Sequence, residues 1–178
     1  MHNDVEKILL SEQEIADMVK GLGRQISEDY KDKNLLMVSV LKGSVVFMAD
    51  LMRAITIPCR IDFMSVSSYG SGTKSSGTVK IQKDLDLDLR GYDLLIVEDI
   101  LDSGKTLSHL VELLSLRGPK SIKICTFLDK PERRTANIKA DYVGTSVPDE
   151  FVVGYGLDYD EKYRNLPYLG VLRPSIYE

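Results

Sequence analysis

Leu94-Leu95-Ile96-Val97-Glu98-Asp99-Ile100-Leu101-Asp102-Ser103-Gly104-Lys105-Thr106 is the stretch on which the fold and the chemistry both turn. Its first four residues are aliphatic, and so short an apolar run suits a strand covered on both faces of a parallel sheet. Two adjacent acids, Glu98 and Asp99, follow that run; a third, Asp102, comes three residues later, and Ser-Gly-Lys-Thr then opens a helix. A helix start leaves backbone N–H groups without partners, and the aligned peptide dipoles favour an anion there. Gly104 lets a ligand approach the backbone, and the hydroxyls of Ser103 and Thr106 add donors, so the turn reads as a phosphate cradle. Carboxylates repel phosphate. They make sense beside a cradle if they face ribose hydroxyls and a hydrated Mg²⁺, and a ligand carrying phosphate, ribose diol and metal together satisfies the whole strip.

Two plainer explanations compete. A nucleoside-triphosphate P-loop requires G-x-x-x-x-G-K-[ST], but the residue five before Gly104 is Asp99, so the fingerprint fails. A capped helix with surface acids accounts for any one of these residues, not for the acidic pair, the third acid and the SGKT turn together. Asp102 also stands where an N-cap stands, a role that can coexist with chemistry.

Outward from this strip the chain alternates strand and helix. Ser11 and Glu14 have capping-box spacing, and Ile15, Met18, Val19, Leu22 and Ile26 recur at helical intervals, with Gly21 and Gly23 as weak points. Leu35–Leu41 reads as a buried strand, Gly43–Ile55 as a helix and Ile61–Val66 as a strand. The run from Ser67 to Gly77 is small and polar and reads as a mobile excursion; Val79–Leu89 returns from it as a β-arm. Lys105–Arg117 is expected to be a helix stopped by Gly118-Pro119, and Ser121–Leu128 a strand. Ala140–Val147 and Phe151–Leu157 are strand-like without a following helix, suggesting a small cap. Alternating strands and helices predict an α/β fold with a parallel sheet and right-handed crossovers.

Bulk properties narrow the function classes. At 178 residues the chain suits one domain, and a composition 43% hydrophobic and 28% charged is that of a folded soluble protein. A formal net charge of −4 and no basic stripe argue against a nucleic-acid partner. The N-terminus lacks a signal-peptide pattern, and no apolar stretch nears the roughly 20 residues of a membrane helix. Cys59 and Cys125 form neither a disulfide framework nor a zinc spacing, and thiols beside strand residues fit a reducing compartment. A cytoplasmic location is expected, with no membrane partner.

The central strip resembles the motif by which type I phosphoribosyltransferases bind phosphoribosyl pyrophosphate (PRPP): an apolar strand, Glu-Asp, two apolar residues, then Asp-[Ser/Thr]-Gly-Lys-Thr. Further segments resemble the hypoxanthine-guanine branch: Leu41-Lys42-Gly43, Ser68-Tyr69, Lys130, Phe151-Val152-Val153-Gly154-Tyr155-Gly156-Leu157-Asp158-Tyr159 and Arg164. Departures are small. Ser103 stands where Thr is frequent and keeps the hydroxyl, and Gly156 offers no side chain. The resemblance implies one domain over 1–178, with a core of roughly 11–140 and a strand-rich hood from 1–10 and 141–178.

It also implies roles. Glu98 and Asp99 would hold the ribose hydroxyls with Mg²⁺ nearby; Asp158 would be a second acid of the metal site, beside the purine; Ser103, Gly104, Lys105 and Thr106 would cradle the 5′-phosphate. Asp102 resembles the catalytic base at purine N7. Lys42 and Gly43, on a loop whose Leu-Lys peptide can be cis in this family, would bind pyrophosphate with Arg164. Lys130 would donate to the purine O6, Phe151 would stack on the ring, and Val152 would offer backbone groups to its edge. Ser68 and Tyr69 would form a lid. The implied reaction is Mg²⁺-dependent transfer of phosphoribosyl from PRPP to hypoxanthine or guanine, in a homodimer or homotetramer. A phosphoribosyltransferase for xanthine stays open; Lys130 and the FVVGYGLDY segment disfavour adenine and pyrimidine. A PRPP-binding regulator of RNA or transcription and a small kinase also fit parts of the pattern. The net charge of −4 argues against the regulator, and the missing P-loop glycine against the kinase.

Overall fold

The computed structural model describes residues 2–68 and 79–178. The apolar runs form a six-stranded sheet. It contains β2 (Leu35–Leu41), β3 (Cys59–Ser68), β4 (Val79–Lys83), β5 (Asp93–Leu101), β6 (Ser121–Asp129) and β7 (Tyr142–Ser146), ordered β4-β3-β2-β5-β6-β7. All neighbours pair in parallel except the edge strand β4, which is antiparallel to β3.

The central strands are covered on both faces, as an unbroken aliphatic sequence requires. Side chains alternate along β5: Leu95 and Val97 pack with Ile15, Val19, Leu22 and Ile26 of α1 (Glu12–Asp29) and with Phe47, Met48 and Leu51 of α2 (Val45–Ala54). Leu94 and Ile96 face the other way, onto Leu107, Leu110 and Leu114 of α3 (Lys105–Ser115). The capping box forms: Ser11 N–H donates to the Glu14 carboxylate at 2.7 Å, and Glu14 N–H donates to Ser11 Oγ at 3.2 Å. Gly23, a weak point by propensity, is where α1 crosses α2; a Cβ there would lie 2.5 Å from the Ala54 Cβ.

A second, antiparallel sheet joins the chain ends: β1 (Val5–Leu10), then β9 (Leu169–Leu172), then β8 (Val152–Val153). Its own small core gathers Val5, Val153, Tyr163, Leu166 and Leu172. Among the described residues no helix is long and apolar enough to cross a membrane.

Several boundaries differ from the sequence expectation. Tyr142–Ser146, expected in the hood, is the edge strand of the main sheet, parallel to β6. It is held there by the buried Tyr142, whose hydroxyl donates to the Asp29 carboxylate at 2.7 Å, and by Asp141, which accepts the Ile124 N–H at 2.9 Å. The arm after Val79 is a strand only to Lys83, because the buried Asp62 carboxylate accepts the N–H groups of Asp86 and Leu87 and turns the chain. Phe151–Leu157 is a strand only at Val152–Val153; Gly154, Tyr155 and Gly156 take φ of 100°, 50° and 101° and fold it back. Leu169–Leu172 is a strand that the sequence reading does not include; it pairs with β1 at the far end of the sequence as well as with β8.

In an open parallel sheet, ligands bind beyond the carboxyl ends of the strands where the order reverses. Here that point lies between β2 and β5, since β2 leads outward to β3 and β5 leads the other way to β6. Leu41-Lys42-Gly43 leaves β2 at this edge, and Glu98–Thr106 leaves β5.

Candidate active site

At the reversal point a pocket of about 200 Å³ is lined by Gly43, Glu98, Asp99, Asp102, Gly104 and Thr106, among others. The acidic pair and the helix start therefore face one shared space. Gly104 sits at φ 77° immediately before α3, in the left-handed region that glycine adopts freely. A Cβ there would also meet Ile138 at 2.5 Å. Ser103 and Lys105 belong to the same turn without lining the pocket, Lys105 with its side chain exposed. The Leu41–Lys42 peptide is cis.

The two acids are costly to ionise where they lie. Burial, then the neighbouring charges of Asp99 and Asp102, pushes the Glu98 carboxyl well above the usual range. Burial pushes Asp99 up to about 6, opposed by the Ile100 N–H that it accepts at 2.7 Å and by the Arg164 charge. Cationic or hydrogen-bond-donating ligands would relieve both groups. Close backbone packing fixes this arrangement: a Cβ on Gly156 would lie 2.1 Å from the Gly43 carbonyl oxygen.

A second pocket of about 240 Å³ adjoins the first, sharing Asp99 and Ile100 with it, and adds Lys130, Phe151, Val152, Leu157 and Asp158. Lys130 is 8% exposed. Its Nζ donates to the Glu150 carbonyl at 2.6 Å and lies 3.8 Å from the Asp149 carboxylate. Burial lowers its pKa, and Asp149 opposes the shift. Phe151 is 37% exposed and so is no core ring; it stacks on Tyr177 with centroids 4.9 Å apart and meets Tyr159 edge-on.

The remaining expected residues lie at the rim. Asp158 pairs with Arg164 at 3.1 Å and accepts the Glu161 N–H at 2.9 Å. Arg164 also donates to the Gly156 carbonyl at 2.7 Å. Lys42 is exposed and bonds Glu161 at 2.9 Å, and the other oxygen of Glu161 accepts from Arg164 at 3.2 Å. Lys42 and Arg164 therefore meet through a carboxylate that no sequence motif singles out. Ser68 ends β3, its backbone opposite Val79, while Tyr69 lies outside the described residues. Glu98 lines the first pocket, Asp158 the second and Asp99 both. Among the described residues, no group of three or more His, Cys, Asp or Glu is placed to hold a metal ion.

Sequence reasoning also missed the loop after Lys130. Arg134 donates to the backbone carbonyls of Leu101, Asp102 and Ile138 and bonds the Asp129 carboxylate. A basic loop residue carries no signal of such contacts.

Residues 6–160 match the phosphoribosyl transferase domain family. The hypoxanthine-guanine phosphoribosyltransferase of Bacillus subtilis is 60% identical over 100% of this chain and 99% of that one. The corresponding Staphylococcus epidermidis enzyme is 55% identical over 99% of both. A bifunctional protein TilS/HprT of Listeria monocytogenes is 55% identical over 99% of this chain, which spans 27% of that relative's length. A crystal structure of a hypoxanthine phosphoribosyltransferase from Staphylococcus aureus superposes with a TM-score of 0.98 at 53% identity, covering 100% of this chain and 97% of that one. One from Trypanosoma cruzi, in a ternary substrates complex, gives 0.94 at 43% identity, covering 99% and 100%. With the motif, the parallel sheet and these full-length matches in agreement, the chain belongs to the phosphoribosyl transferase family, in its hypoxanthine-guanine branch.

Proposed function

We propose that this chain transfers the phosphoribosyl group of PRPP to hypoxanthine or guanine, giving IMP or GMP and pyrophosphate. One observation carries the reading: a pocket with a helix start and an acidic pair opens beside a pocket with a buried lysine and an exposed aromatic ring, and Asp99 lines both. The first suits a ribose 5-phosphate and the second a flat base, so the atoms to be joined would meet near Asp99.

Glu98 and Asp99 take the ribose diol, and Ser103, Gly104 and Thr106 the 5′-phosphate, with Lys105 adding its charge from the exposed side. Phe151 stacks on the purine and Val152 meets its edge through backbone groups. Lys130 donates to O6. A donor there leaves the amino group of adenine without a partner, which sets base choice. Asp102 accepts the hydrogen bond of N7–H as the purine attacks C1′, and Lys42, the Gly43 backbone and Arg164 neutralise the departing pyrophosphate. The lid that the resemblance assigns to Ser68 and Tyr69 would keep water out during transfer, Tyr69 lying outside the described residues.

Mg²⁺ fits this donor set as a substrate-borne ion. Magnesium is commonly held by one or two carboxylates with the rest of its shell from phosphates and water, and Asp99, which lines both pockets, with Asp158 in the second and Glu98 in the first, would supply such carboxylates. When bound it would neutralise charge on the pyrophosphate. The expected assembly is a homodimer or homotetramer, and the expected location is the cytoplasm.

Incubation with PRPP, Mg²⁺ and each base in turn, with nucleotides separated by chromatography, tests the reading. IMP and GMP form and AMP does not; absence of both 6-oxopurine nucleotides overturns it.

A further inference from the structure

Three successive carbonyls of the turn between β5 and α3 are bound from one side by a single loop. Leu101 O accepts from Lys130 N–H at 2.9 Å and from Arg134 Nη2 at 3.3 Å. Asp102 O accepts from Arg134 Nε at 2.9 Å. Ser103 O accepts from the N–H groups of Thr135 and Ala136, both at 3.0 Å. These peptides are trans, and a trans peptide points its C=O and N–H in opposite directions. Anchoring the carbonyls toward the Lys130–Ala136 loop therefore turns the N–H groups of Asp102, Ser103 and Gly104 away from it, toward the side where Asp102, Gly104 and Thr106 line the pocket.

Arg134 is itself held. Asp129, at the end of β6 and opposite Leu101 in the sheet register, bonds its guanidinium, and Nη1 donates to the Ile138 carbonyl at 2.9 Å. The two side chains are only 16% and 20% exposed. A planar guanidinium with donors in a fixed fork suits this task, where a lysine would reach one acceptor at a time. Arg134 also reaches the carbonyl that Lys130 N–H binds, so it couples the phosphate turn to the strand end that carries the purine-side lysine.

We propose that Arg134, fixed by Asp129, is the positioning residue of the phosphate turn. It holds the peptides of Leu101–Gly104 in the one orientation that presents their amides to a 5′-phosphate, without touching the ligand. The inference rests on the reading of Ser103–Thr106 as the phosphate cradle. Without the guanidinium, the Asp102 carbonyl loses its partner and that peptide becomes free to rotate its oxygen toward the anion.

The test compares GMP, guanosine and inorganic pyrophosphate with Mg²⁺ by isothermal titration calorimetry, in wild type and in Arg134→Ala. Loss of charged hydrogen bonds of this kind weakens GMP binding roughly 10- to 100-fold. Guanosine, which lacks the phosphate, and pyrophosphate, which binds elsewhere, are held within about twofold. Added guanidinium ion, at concentrations well below denaturing, restores part of the GMP affinity in the alanine variant and none in wild type. Should Arg134→Ala fail to fold, Arg134→Lys and Asp129→Asn serve instead, with smaller losses confined to GMP. Unchanged GMP affinity, or equal weakening of all three ligands, overturns the proposal. If wild type itself binds GMP no more tightly than guanosine, the cradle reading has failed; if wild type prefers GMP and Arg134→Ala keeps that preference, only the role of Arg134 has.

Discussion

Gly43 and Asp99 are packed so closely that no side chain fits between them: a Cβ on Gly43 would lie 1.7 Å from Asp99 Oδ2 and 2.8 Å from its Cγ. The glycine of the loop after β2 thus sets where the acid of β5 points, across the reversal point of the sheet.

Gly43→Ala displaces the Asp99 carboxylate, which can rotate away because it is the free end of a side chain. Misplacing a group by about an ångström costs roughly 100-fold in rate, so kcat/KM for PRPP falls by about that factor. Unfolding stability changes by less than about 1 kcal/mol. Steady-state kinetics paired with urea denaturation check both.

Asp102→Asn keeps size and removes the carboxylate. Turnover falls roughly 100- to 10,000-fold while the PRPP dissociation constant, measured by calorimetry, stays within about threefold. Unchanged turnover removes Asp102 from the base role.

Lys130→Ala removes the donor proposed for the purine O6 and also the bond that Lys130 makes to the Glu150 carbonyl. The kcat/KM for guanine and hypoxanthine drops roughly 10- to 100-fold, and PRPP binding is spared. Calorimetry with each ligand separately shows whether the loss falls on the base alone.

Asp99 makes ligand-free stability depend on pH. Its folded pKa, raised to about 6, exceeds the ordinary value of 3.8. The folded state therefore holds the proton more tightly, and stability is greatest below about 4 and declines as pH rises through about 6. Asp99→Asn escapes that decline. In chelator and without substrate, the variant gains stability over wild type on the order of 1–3 kcal/mol at pH 7.5, and the gain shrinks on acidification toward pH 5. Urea midpoints at the two pH values measure it; a pH-independent difference would contradict it.

Glu161 occupies both cations that the proposed reaction assigns to pyrophosphate, Lys42 at 2.9 Å and Arg164 at 3.2 Å. Glu161→Gln releases them, and pyrophosphate with Mg²⁺ binds about two- to fivefold tighter at low salt, as for an exposed ion pair. The gain fades in 0.5 M salt, where exposed charges are screened. Weaker binding would mean that Glu161 holds the cations in place for the ligand and does not compete with it.

The legible parts of the fold and site were those with a local signature. Ser11 with Glu14, the aliphatic run before Glu98 and the SGKT turn each declare themselves within a few residues, because capping, double-sided burial and an open helix start are local requirements. Val152–Val153 and Tyr142–Ser146 were harder. Both are short, β-prone segments whose sheet is chosen by distant partners: β9 for one, β6 together with the Asp29 carboxylate for the other. Arg134 and Glu161 were illegible, since each is an ordinary charged loop residue until the fold brings its acceptors or cations to it.

By itself the sequence determined the alternation of strand and helix, the family, and the order in which the acids and the Ser103–Thr106 turn follow one another from β5 into α3. Those features follow from backbone periodicity and from neighbours a few bonds apart. Only the tertiary structure decided that Asp99 faces two pockets, that Gly43 leaves no room for a side chain beside it while Gly156 packs on the Gly43 carbonyl, and that Arg134 binds the carbonyls of Leu101 and Asp102. These relationships join residues far apart along the chain, and no periodic pattern encodes a contact that only chain crossing and close packing create.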